Sequence, residues 1–149
     1  MSMTPRVSPY LRFEGSTREA MTFYQEVLGG ELSLASYGEF GAAADDSQAD
    51  LVMHSMLVFA ADFSVMASDT PPGMAEQMGG PFTNGTIALH AGPEDLEAMS
   101  AAFPRLAEGG SVVIPLEAAP WGDHFGEVVD RFGIHWMFNI GGSTEPPAE

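Results

Sequence analysis

The residues with which this chain can do chemistry are few: four histidines, five arginines and a large excess of acids. His54, His90, His124 and His135 supply the only side-chain nitrogen ligands suited to a metal ion. No two of them stand in an i, i+2 or HExxH-like pattern, the spacings at which a sequence marks a metal site. Each therefore reads first as a structural or solvent-facing histidine and second as a ligand. Cysteine is absent, which removes disulfides, thiolate nucleophiles and thiolate zinc sites. Lysine is absent too, which removes Schiff-base chemistry and a Walker-type phosphate loop. No Gly-x-Ser-x-Gly elbow occurs, and the glycine pairs follow helical patterns rather than open them, so no dinucleotide fingerprint is present.

Among the cations, Arg12 is the sharpest candidate. On a strand facing a cleft it could fork onto a carboxylate or phosphate; an ion pair with one of the 21 acids is the plainer alternative. Asp130 and Arg131 read as a turn-holding pair. Trp121, between Pro120 and Gly122, fits either the mouth of a binding site or an interface. Met56, Met66, Met99 and Met137 read as filler of a core or cavity.

The elements that must position these residues belong to a chain of 149 residues with 45% hydrophobic and 17% charged content. That is the composition of a globular protein able to bury roughly two-thirds of its unfolded surface. A formal charge of -16 disfavours nucleic acid and acidic membrane surfaces as partners. No apolar run approaches the roughly 20 residues that span a bilayer. The start lacks the apolar stretch of a signal peptide, so a cytoplasmic protein is expected. Asn84-Gly85-Thr86 then matches a glycosylation sequon by chance.

Val7 to Phe13 reads as a strand. Ser16 and Glu19 form a capping box ahead of a helix whose apolar face is Ala20, Phe23, Tyr24, Val27 and Leu28. Gly29-Gly30 closes that helix, and Glu31 to Tyr37 reads as a strand. A loop from Gly38 to Leu51 follows. Val52 to Ala60 and Phe63 to Ser68 form a hairpin across Ala61-Asp62. The second half repeats the order. Thr86 to Ala91 is a strand, Pro93 opens a helix with the stripe Leu96, Met99, Phe103 and Leu106, and Gly109-Gly110 closes it. Pro104 must kink or shorten that helix. Ser111 to Leu116 is a strand and Pro120 to Gly126 a loop. Glu127 to Asp130 and Ile134 to Ile140 make a last hairpin. Glu19-Ala20-Met21 recurs as Glu97-Ala98-Met99, each ahead of an aromatic, a Leu and a Gly pair. Two duplicated modules are the simplest account. The expected organisation is an extension over 1–6, a module over 7–68, a linker over 69–84, a module over 85–140 and a flexible acidic tail over 141–149.

Pro9-Tyr10-Leu11-Arg12-Phe13, Glu19-Ala20, Phe23-Tyr24 and Leu28-Gly29-Gly30-Glu31 resemble the first module of the vicinal-oxygen-chelate superfamily of glyoxalase I, bleomycin-resistance proteins and extradiol dioxygenases. Pro120-Trp121-Gly122, Phe125-Gly126 and the run from Asp130 to Asn139 resemble its PhnB-like branch. The resemblance implies an α+β fold of two βαβββ modules with cupped mixed sheets, usually in a homodimer. Its enzymes hold a divalent metal with His and Glu side chains. Those positions fall here at Ser8 (or Pro9), Met66, Thr86 and Met137, none a strong ligand for such an ion. PhnB-like sequences are sometimes labelled as ubiquinone-pathway methyltransferases, but no glycine-rich cofactor loop follows an opening strand here.

Strand parity adds to this. Ile134, Trp136, Phe138 and Ile140 share an apolar face, whereas His135, Met137 and Asn139 share a mixed one. Thr86, Ala88 and His90 share a face, as do Ser8, Tyr10 and Arg12. The expected lining is Ser8, Tyr10, Arg12, Met66, Thr86, His90, Trp121, His135 and Met137, suited to a small polar-aromatic or anionic molecule, with no cofactor. The alternative is a lyase, isomerase or dioxygenase whose divalent metal has moved to His90 and His135, with His135 as general base.

Overall fold

The computed structural model describes residues 8–41, 43, 46–60, 63–74, 76, 80 and 84–141. The chain divides into two compact units, Met1–Asn84 and Gly85–Glu149. The extension over 1–6, the tail from 142 onward and much of the linker lie outside the described residues.

The first unit runs β1 (Tyr10–Phe13), α1 (Thr17–Leu28), β2 (Glu31–Ser36), β3 (Val52–Ala60) and β4 (Phe63–Asp69), with a 3-10 turn at Asp46–Gln48 inside the long loop. The second runs β5 (Thr86–Ala91), a 3-10 turn at Pro93–Asp95, α2 (Leu96–Leu106), β6 (Ser111–Ala118), β7 (His124–Val129) and β8 (His135–Ile140). Each is a mixed four-stranded sheet, in the orders β1-β4-β3-β2 and β5-β8-β7-β6. In both, the first strand runs parallel to the last and the other pairs are antiparallel. This is the expected α+β arrangement of βαβββ modules.

One face of each sheet is buried under its helix. In the first unit α1 lies against β2, β3 and β4, covering Leu11, Phe13, Leu57, Val65 and Ala67. In the second, Trp136, Phe138 and Ile140 are wholly buried, as their parity predicts, and Phe103 of α2 meets Phe138 edge-on at 5.2 Å. The second glycine of each repeated pair has a packing reason. A Cβ on Gly30 would land on the carbonyl oxygen of Val58, and one on Gly110 on that of Val129. Close approach of strand to strand leaves no room for a side chain there.

Several local expectations need correction. The Ser16 side chain makes no cap hydrogen bond. Instead the Asp69 carboxylate, at the end of β4, accepts from the backbone N–H groups of Gly15 and Thr17 at 2.9 and 3.1 Å and of Val52 at 2.8 Å. A buried carboxylate at the positive end of α1 does the work assigned to Ser16 and Glu19. The buried face of α1 includes Thr17 and Met21, while Val27 and Leu28 stay half-exposed. His124, Phe125 and Gly126 belong to β7 rather than to a loop, and β6 continues to Ala118. Pro104 lies inside α2, which ends two residues later at Leu106. Asp130 holds the last turn as expected. Its carboxylate accepts from the N–H groups of Phe132 (2.8 Å) and Ile134 (3.0 Å) and from the Trp136 indole (2.9 Å).

Candidate functional site: the helix-free sheet faces

The face of each sheet turned away from its helix carries the residues with chemistry. In the first unit β1 presents Tyr10 and Arg12, with Ser8 just before it, β4 presents Ser64, Met66 and Ser68, and β3 presents His54, Met56 and Val58. Tyr10 is laddered to Met66 and Met66 to Met56, so three neighbouring strands place an aromatic ring and two thioethers side by side. The Tyr10 ring stacks against His54 with centroids 6.0 Å apart, its hydroxyl 3.4 Å from His54 Nδ1. The Arg12 guanidinium sits over the same Tyr10 ring, 5.2 Å from its centroid. Ser8 Oγ is hydrogen-bonded to Ser64 Oγ at 2.7 Å.

Two groups brace this face from its edges. The Asn84 side chain pairs with the outer edge of β1, its Oδ1 accepting from Arg12 N–H (2.9 Å) and its Nδ2 donating to Arg12 carbonyl oxygen (3.1 Å). Tyr37 donates its hydroxyl to the Asp69 carbonyl oxygen at 2.9 Å. Burial raises the Tyr37 pKa above its ordinary 10.0; the charges of Asp69 and Tyr10 add to the rise and Arg12 opposes it.

In the second unit the corresponding face carries Thr86, Ala88 and His90 on β5, His135, Met137 and Asn139 on β8, and Phe125, Glu127 and Val129 on β7. His90 is laddered to Asn139, and Asn139 to Phe125. The Asn139 amide donates to Asp123 Oδ2 at 3.1 Å. Trp121, 56% exposed, meets Phe125 edge-on at 5.9 Å, which ties it to this face. Met137 lies between Ala88 and Glu127.

The ladders align the two units position by position, because each parallel pair ends alike, Phe13 with Asp69 and Ala91 with Ile140. Counting back, Ser8 corresponds to Thr86, Tyr10 to Ala88, Arg12 to His90 and Met66 to Met137. Across the antiparallel pairs, His54 corresponds to Phe125 and Met56 to Glu127. The four positions at which the resemblance implies metal ligands are thus two equivalent pairs, each a hydroxyl and a thioether. The correspondence with Thr86 selects Ser8 over Pro9.

That donor set does not fit a hard or borderline divalent ion, which takes carboxylates and imidazoles. Among the described residues, no group of three or more His, Asp and Glu is placed to hold a metal. The relocated pair also fails as one site. His90 and His135 share a face, but His135 is laddered to Thr86 and His90 to Asn139, about 13 Å of strand apart. One ion is not gripped by both.

Sequence reasoning passed over His54, Met56, Ser64, Asp123, Phe125 and Glu127 as members of these faces. Parity along Val52–Ala60 would have grouped His54 with Met56 but not said which face they take.

Among the described residues no helix is long and apolar enough to cross a membrane. The chain is 30% identical to protein YjdN of Escherichia coli (strain K12) over 145 residues, covering 90% of this chain and 94% of that one. The crystal structure of protein PA1353 from Pseudomonas aeruginosa is similar at 35% identity and a TM-score of 0.72, covering 93% of this chain and 98% of that one. The PhnB protein from Bacillus cereus shares the fold at 24% identity and a TM-score of 0.68, covering 92% of this chain and all of that one, 100%. Residues 6–138 match the family description Glyoxalase/Bleomycin resistance protein/Dioxygenase superfamily. With the strand order and the helix-free faces described above, this match makes the chain a member of that superfamily.

Proposed function

We propose that this protein binds a small polar-aromatic or anionic molecule on the helix-free face of its sheets, and does so without the divalent ion that the superfamily's enzymes use. What supports the reading is the donor set at the four positions where the family resemblance places metal ligands: Ser8 with Met66 and Thr86 with Met137 are equivalent pairs of a hydroxyl and a thioether. The first unit supplies what such a ligand needs. Tyr10 and His54 offer ring faces, Met56 and Met66 an adaptable apolar floor, and the Arg12 fork a partner for a carboxylate or phosphate. Ser8 and Ser64 add hydroxyls. In the second unit Thr86, His90, Trp121, His135 and Met137 form the matching surface. The protein acts as a homodimer in this reading. The edge strand β6 leaves Val112, Val113 and Ile114 exposed, an apolar surface suited to self-association.

The test is metal analysis of protein purified without added metal, alongside a thermal-shift and calorimetric screen of aromatic carboxylates and phosphonates with and without chelator. The expected result is no stoichiometric divalent metal, and a ligand that stabilises the fold by about 2.7 kcal/mol at a hundredfold excess over its Kd. Chelator leaves that binding unchanged. A stoichiometric divalent ion, or binding abolished by chelator, overturns the reading. Light scattering should return twice the chain mass; a monomer at micromolar concentration removes the dimer from it.

A further inference from the structure

We propose that the helix-free face of the first unit binds a soft monovalent metal ion, of the copper(I) or silver(I) class, through the thioethers of Met56 and Met66 and the imidazole of His54. Met56 and Met66 are direct register partners on neighbouring strands, which sets their Cβ atoms about 5 Å apart. Both are half-exposed on the helix-free face, so neither is committed to the core. Each thioether swings on three rotatable bonds, which lets two sulfurs reach one point above the sheet. His54 precedes Met56 by two residues on β3 and shares its face. The Tyr10 hydroxyl engages His54 Nδ1, leaving Nε2 as the ring's outward donor.

The chemistry of this set is selective. Thioether sulfur binds copper(I) and silver(I) and takes up calcium or magnesium poorly. Because the chain has no cysteine, no thiolate competes with these donors for a soft ion. The Arg12 guanidinium over the neighbouring Tyr10 ring repels a doubly charged ion more strongly than a singly charged one. The second unit is an internal contrast. Its equivalent positions hold Phe125, Glu127 and Met137, a lone thioether beside a carboxylate.

The intact protein, labelled with carbon-13 at its methionine methyl groups, is titrated with silver nitrate in chloride-free buffer. The Met56 and Met66 methyl resonances and the His54 ring should shift together and saturate at one equivalent, ahead of the other methionines. Met56→Leu and Met66→Leu, which conserve volume, should each weaken silver binding by about tenfold or more. Met21→Leu, wholly buried in α1 on the other side of the sheet, should leave it unchanged. Anaerobic copper(I) competition against a chromophoric chelator should give the same ranking. Silver uptake that shifts all methionines in parallel with no break at one equivalent overturns the proposal. So does wild-type affinity in folded Met56→Leu and Met66→Leu proteins.

Discussion

The two units share a strand order and even the last rung of their parallel ladders, yet they begin their helices by different means. In the first, that rung ends on Asp69, only 1% exposed, whose carboxylate gathers three backbone N–H groups from the start of α1 and of β3. In the second the same rung ends on Ile140, fully buried in the core, and α2 is led in by a 3-10 turn in which Asp95 N–H donates to Gly92 carbonyl oxygen at 3.0 Å. One unit ties its helix to its sheet through a charge; the other does so through apolar contact and a proline that needs no donor. Topology fixes where a helix must start and leaves open what holds it there.

The sharpest way to break this contrast is to write the second solution into the first. Asp69→Ile should strand three buried donors and cost about 3–5 kcal/mol by urea denaturation, whereas Ile140→Val should cost about 0.5–1.5 kcal/mol. Comparable losses at the two sites would remove the distinction. The glycine pairs test what the units have in common. Gly30→Ala should cost about 2–4 kcal/mol, because a positive φ of 97° adds to the clash with Val58; Gly110→Ala should cost about 1–3 kcal/mol from the clash with Val129 alone. A neutral result at either position would mean that the neighbouring strand gives way.

On the helix-free faces, Arg12→Gln should weaken an aromatic carboxylate about tenfold or more by calorimetry, and more than His90→Gln at the equivalent place in the second unit. Equal losses would assign anion recognition to both units. A smaller effect concerns Tyr37. Its folded pKa lies above 10.0, so the stability it contributes is present below pH 10.0 and is lost as pH rises through the folded value. Tyr37→Phe should therefore flatten the alkaline limb of a stability profile measured by urea denaturation. Smallest of all is Ser16→Ala. With no side-chain cap bond to lose, it should stay within about 0.5 kcal/mol of wild type.

How far the sequence could be read follows from how local each signal was. The strand at Thr86–Ala91, the buried face of Trp136, Phe138 and Ile140, the turn at Asp130 and both glycine pairs were legible because period and turn chemistry lie within a few residues. The helix start at Ser16 was misread because its partner, Asp69, sits more than fifty residues away. The open face of β3 was hidden by register. A two-residue hairpin at Ala61-Asp62 pairs Ala60 with Phe63, and continued evenly it would set Leu57 opposite Met66 and turn Met56 inward. The register instead shifts between Val58 and Ala60, so that Met56 meets Met66 and His54 comes outward with it. One irregularity of a single residue, without a glycine to announce it, decided which side of the strand carries the chemistry.

The amide of Asn84 copies a neighbouring peptide group, donating and accepting at one residue of β1 as a further strand would. Its Nδ2 is also the atom to which a eukaryotic secretory host attaches an oligosaccharide, at Asn84-Gly85-Thr86. Production by secretion from yeast or insect cells would set a sugar tree against the strand that carries Tyr10 and Arg12 and withdraw a donor from it. Bacterial expression, or a Thr86→Val change that deletes the acceptor motif, keeps that edge stitched.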